Sequence, residues 1–117
     1  MRKNELFLMR VYAKQNLEKE SKIRPNLRPI YRRLSAIDKQ LRSMCHKRVP
    51  KSELRYWVNQ AKRLRKTIYQ AQWWGENNPG GYRGITVNTA WGCMHHLDWL
   101  IDKAEAYQLV IQYSKFN

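Results

Sequence analysis

The chain has 117 residues, 43% of them hydrophobic, with five Trp and seven Tyr; that composition fits one folded domain with a modest core and excludes a disordered chain. Lys and Arg number 23 against nine acids, a net charge of +14. No run of about 18 apolar residues exists to span a membrane, and Cys45 and Cys93 are too few for a disulfide scaffold.

The opening stretch "MRKNELFLMRVYAK" lacks the long apolar segment and small-residue cleavage site of a signal peptide, so a cytoplasmic location is expected. A first helix is predicted over residues 4–20. Leu6, Met9, Ala13 and Leu17 recur there at three- and four-residue steps, with Asn4 as a candidate N-cap. Pro25 and Pro29 then interrupt the pattern by disfavouring helix at the residues before them.

The second helix, 27–46, shows the cleanest periodicity: Leu27, Ile30, Leu34, Ile37, Leu41 and Met44. Pro29 suits its first turn, where the missing N–H does no harm. The third helix, 52–74, repeats the spacing with Leu54, Trp57, Ala61, Leu64, Ile68 and Ala71, and Ser52 is its candidate cap. Two matched apolar seams joined by a short turn predict an antiparallel helical hairpin over residues 27–74.

A Gly/Asn/Pro-rich loop, 75–87, follows. Gly75 stands where a helix often stops in a left-handed conformation, and "NNPGG" is turn chemistry. The only β-branched run, "GITV" at 84–87, is short for a strand. The last helix, 88–113, has Asn88 or Thr89 as its cap. Met94, Leu97, Ile101 and Ala104 form one stripe; Trp99, Ala106, Val110 and Tyr113 form another on a different side. A helix apolar on two sides is either central or partly covered by another chain. A protein partner or a second copy is therefore expected on Trp99, Val110 and Tyr113. The whole chain, 1–117, reads as a single all-α domain: a small bundle of about four helices built on the long hairpin.

Charge is unevenly placed. Residues 1–72 hold 20 basic and five acidic residues, whereas 73–117 hold three and four. Opposite the apolar seam, the second helix carries Arg28, Arg32, Lys39, Arg42 and His46. The third carries Arg55, Asn59, Lys62, Arg63 and Lys66, with Trp73 in line. Arg33 and Arg65 fall at the seam flanks, where long stems can cover core. Carboxylates at i±4, which a self-neutralising surface helix uses, are scarce: only Asp38 and Glu53 occur in residues 22–72. A polarised basic surface of this kind implies a polyanionic partner, DNA or RNA. The expected backbone contacts are Arg28, Arg32, Arg42, Arg55, Lys62, Arg63 and Lys66, with Trp73 and Arg83 adding a ring and a charge where single strands are held by stacking.

Signatures of chemistry are weak. Cys93, His95, His96 and Asp98 have one-turn spacings that a metal could use, but in an up-and-down bundle Cys45 and His46 fall at the opposite end. No metal and no other cofactor are expected. The glycines form no phosphate loop, and no serine has a neighbouring His–acid pattern. Asp98, Asp102 and Glu105 share a helical face, the one arrangement in which Mg²⁺-dependent phosphodiester cleavage is conceivable. The expectation is a non-catalytic nucleic-acid-binding protein, a small subunit or accessory factor of a larger complex. The alternative is a phage- or plasmid-type inhibitor whose basic face enters an acidic groove of a nucleic-acid-processing enzyme.

Overall fold

The computed structural model describes the backbone of residues 3–77 and 85–114, with side chains for residues 8, 10–71 and 85–112. Four helices make up nearly all of it: α1 (Lys3–Ile23), α2 (Arg28–Ser43), α3 (Lys51–Asn77) and α4 (Val87–Ser114), with a 3-10 turn at Pro25–Leu27 before α2. Among the described residues there is no strand. Ile85 and Thr86 run straight into α4, and Ile85 is buried in the core.

Side-chain contacts fix the directions. Glu20 meets Thr89 and Arg10 meets Trp99, so α1 and α4 are antiparallel. Arg65 meets Asp98 while Arg55 and Val58 share a groove with Glu105 and Gln108, so α3 and α4 are antiparallel too. Asp38 meets His96, and Met44 meets Gln108, so α2 and α4 run parallel across the middle. This is an up-down-up-down bundle in which α4 packs against all three other helices, while α1 and α3 stand apart at the far corners. The fold is long, 56 × 31 × 22 Å. Its radius of gyration, 15.6 Å, exceeds the roughly 13 Å typical of a compact chain this long.

The predicted seams are the core. On α2 and its preceding turn, Leu27, Ile30, Leu34, Ile37, Leu41 and Met44 are all buried, as are Ala61, Leu64, Ile68 and Ala71 on α3. At the start of α3 the inward position belongs to Val58, with Leu54 and Trp57 only partly buried. Ala13 and Leu17 of α1 and Met94, Leu97, Ile101 and Ala104 of α4 complete the packing. Leu6 and Met9 lie outside the described side chains.

Helix ends differ from expectation in physically simple ways. Asn4 is inside α1, which begins at Lys3. Ser52 does not cap α3; the amides of Glu53 and Leu54 bond to the Pro50 carbonyl, so the helix begins one residue earlier, at Lys51. Gly75 does not stop α3, which continues to Asn77, two residues short of Pro79, whose ring disfavours helix at the residue before it. The cap of α4 is Thr86 rather than Asn88 or Thr89. Its hydroxyl oxygen accepts from the Thr89 amide at 3.3 Å and its hydrogen goes to Thr89 Oγ1 at 2.8 Å. Thr89 in turn donates to Glu20 Oε1 at 3.2 Å, tying this end of α4 to α1.

The α2–α3 connection is held by one side chain. Gln108, 5% exposed, donates from Nε2 to the carbonyls of Met44 and Lys47, both at 2.8 Å. Its Oε1 accepts from the Val49 amide at 3.2 Å. Three loop groups that no helix can satisfy are thereby paired from α4.

Candidate nucleic-acid interface

The α3 cations present an open face. Arg55, Lys62, Arg63 and Lys66 are exposed, and none makes a salt bridge among the described residues. Seam burial dictates this: with Ala61, Leu64 and Ile68 turned inward, residues 55, 59, 62, 63 and 66 take the outer side of a 3.6-residue helix. Arg55, Asn59 and Lys62 also border a groove of about 370 Å³ between α3 and α4, with Leu54 and Val58 on the α3 wall and Glu105, Gln108 and Leu109 on the α4 wall. Lys51 links this groove to a second cavity of about 400 Å³ beside Arg48, Val49 and Pro50.

The α2 cations divide between two surroundings. Arg28, Arg32 and Lys39 are exposed and make no salt bridge among the described residues. Arg42 and His46, however, line a cleft with Cys45, Trp99 and Lys103 on the other flank of α4. Arg42 and His46 are thus on a different surface from Arg55 and Lys62, because α4 faces Arg55 and Lys62 with one flank and Arg42 and His46 with the other.

Arg42 is also not a free cation. Its Nε donates to Asp38 Oδ1 at 2.8 Å, and its guanidinium lies 5.7 Å from the Trp99 ring centre, with Arg10 over the same ring at 4.7 Å. Trp99, expected on a partner-facing stripe, is therefore partly buried against the core under two guanidinium groups. The rest of that stripe divides. Ala106 and Val110 are exposed, Val110 at 64%, whereas the side chain of Tyr113 lies outside the described residues. So do the side chains of Trp73 and Trp74, and Arg83 lies outside them altogether.

Periodicity missed the hub of the other flank. Asp38 is buried and gathers three helices: His96 Nε2 at 2.7 Å, Arg42 Nε at 2.8 Å and Lys14 Nζ at 3.3 Å. A carboxylate only accepts, so Nε2 of His96 carries the hydrogen. Burial pushes the Asp38 carboxyl up, but the bonds from His96 and Arg42 and the charges of Lys14 and Arg42 outweigh it and hold it well below the usual carboxylate range. The only hint in sequence was an acid beside seam residue Ile37 in a segment otherwise almost free of acids.

The acidic side of α4 is partly engaged. Arg65 Nε donates to both Asp98 oxygens, at 2.9 and 3.1 Å. Among the described residues no three His, Cys, Asp or Glu side chains gather where a metal ion could sit. Cys93 is fully buried and its thiol is pushed up to about 12 by burial, with the Glu20 charge adding to the effect. Cys45 is half-buried and also raised by burial, against the lowering charges of Arg42 and Lys103. Cys45 lies past the end of α2 beside Trp99 and Lys103, further along α4 than Cys93. Among the described residues no helix is long and apolar enough to cross a membrane. No family model matches the chain, and no curated protein or solved structure matches it either.

Proposed function

We propose that the chain is a non-catalytic nucleic-acid-binding protein that grips a phosphate backbone chiefly through α3, as a small cytoplasmic subunit or accessory factor of a larger protein–nucleic acid complex. One observation carries this reading: Arg55, Lys62, Arg63 and Lys66 stand exposed on one helix with no carboxylate partner among the described residues. Asp38 and Asp98 neutralise other cations, Lys14, Arg42 and Arg65. Unbalanced like charge along a helix costs stability, and a phosphate backbone removes that cost on binding. Arg28 and Arg32 on α2 supply a second contact region. Contacts of this type carry affinity and little base preference.

A second reading is favoured by the exposed Leu109 and Val110 on α4, 53% and 64% exposed: a basic face that enters an acidic groove of a nucleic-acid-processing enzyme. One experiment separates the two. The purified chain is tested for direct binding to a strand of about 30 nucleotides at low salt, beside a lysate pull-down with and without nuclease. Direct binding and nuclease-sensitive capture support the proposal. A chain that ignores the strand yet retains one protein after nuclease treatment would establish the inhibitor reading instead.

A further inference from the structure

Resting on the backbone-binding reading, we infer that the α3–α4 face is a path for a single strand, with Tyr69 and Trp91 stacking its bases. The Arg65–Asp98 pair fixes the register of these antiparallel helices. Tyr69 lies one turn beyond Arg65 on the same side of α3, and Trp91 lies two turns before Asp98 on the same side of α4. Because the helices are antiparallel, both steps lead towards the same end of the bundle. Two rings therefore stand on one face past the basic groove, and both are open: Tyr69 is 48% and Trp91 40% exposed. Trp91 is braced by His95, with ring centres 6.2 Å apart and planes 32° from parallel.

Cations lead up to the rings. Arg55, Lys62 and Lys66 precede Tyr69 along the outer side of α3, covering about 21 Å at 1.5 Å per residue. Phosphates can follow the cations on the outer side of α3, away from Glu105 on the α4 wall, while bases turn onto the rings and the apolar floor of Leu54 and Val58. A duplex keeps its bases stacked on one another and leaves the rings without a function, so the aromatic positions favour an unpaired strand. A second copy of this chain is a poor occupant, since a two-fold contact would set Arg55, Lys62 and Lys66 against themselves.

The test uses the full chain, an unstructured strand of about 30 nucleotides and a duplex of equal length. The strand is expected to bind at least about tenfold more tightly than the duplex. Tyr69→Ala and Trp91→Ala should each weaken strand binding roughly five- to 150-fold and leave duplex affinity and the salt slope unchanged. Tyr69→Phe and Trp91→Phe, which keep a ring, should retain most of the affinity and guard against misfolding of the alanine variants. Equal binding of strand and duplex, with both alanine variants at wild-type affinity, overturns the inference while leaving backbone binding intact. If neither probe binds even at low salt, backbone binding falls and this inference falls with it.

Discussion

Replacing Gln108 by Leu removes one side chain of similar size and three hydrogen bonds: to the Met44 and Lys47 carbonyls and from the Val49 amide. Each such bond contributes about 0.5–1.5 kcal/mol net. The Met44 bond is fully buried, while the other two are part-buried and water can partly replace them. The expected loss is therefore about 2–3 kcal/mol, a large fraction of the roughly 5–15 kcal/mol that holds a domain together. Urea melts followed by circular dichroism measure it directly, with an unchanged m-value showing that the native and unfolded states are otherwise alike. Gln108→Glu sharpens the test. It keeps the acceptor for Val49 but sets a carboxylate against two carbonyl oxygens. At neutral pH it should cost at least as much as Leu, despite its closer shape, and recover as acid protonates it into a donor. A Leu variant within about 0.5 kcal/mol of wild type, or a Glu variant as stable as wild type, refutes the view that this amide holds the α2–α3 connection.

Two further outcomes concern stability. Asp38→Asn should cost about 2 kcal/mol at neutral pH, because Arg42 and Lys14 are partly solvated and only the His96 bond is deeply buried. The folded carboxyl titrates below its ordinary value, so the unfolded chain binds the proton more readily. Its contribution is present above about pH 4 and fades on acidification; urea melts should show the gap between wild type and Asp38→Asn narrowing as pH falls. Leu64→Ala, at a fully buried seam position, should cost about 3–4 kcal/mol, and a loss below about 1 kcal/mol in the same assay would contradict its place in the core.

The four helices and the seams of α2 and α3 were legible because burial repeats every three to four residues, and Leu34, Leu41, Leu64 and Ile68 obey that repeat without exception. Helix ends were less so. Gly75 and Ser52 carry real local preferences, but the Pro50 carbonyl and the continuation of α3 to Asn77 override them. Which cations share a surface was legible within α3, where Arg55, Lys62, Arg63 and Lys66 are exposed together, but not between helices. A helical wheel places Arg42 and Arg55 on the outer sides of their own helices. It says nothing of α4, which separates them, nor of Asp38, whose partners lie 24 and 58 residues away in sequence. The same blindness to long-range contacts hides the two guanidinium groups that lie over Trp99.

The backbone-binding account stands or falls most directly on the salt dependence of binding to a single strand, measured by fluorescence anisotropy for the wild type and for a chain carrying Arg55→Glu, Lys62→Glu and Lys66→Glu. Log affinity should fall linearly with log salt, and the triple variant should bind far more weakly, with a slope shallower by about 2 units for three lost phosphate contacts. A variant that matches wild type in affinity and slope would contradict the assignment of the backbone contact to α3.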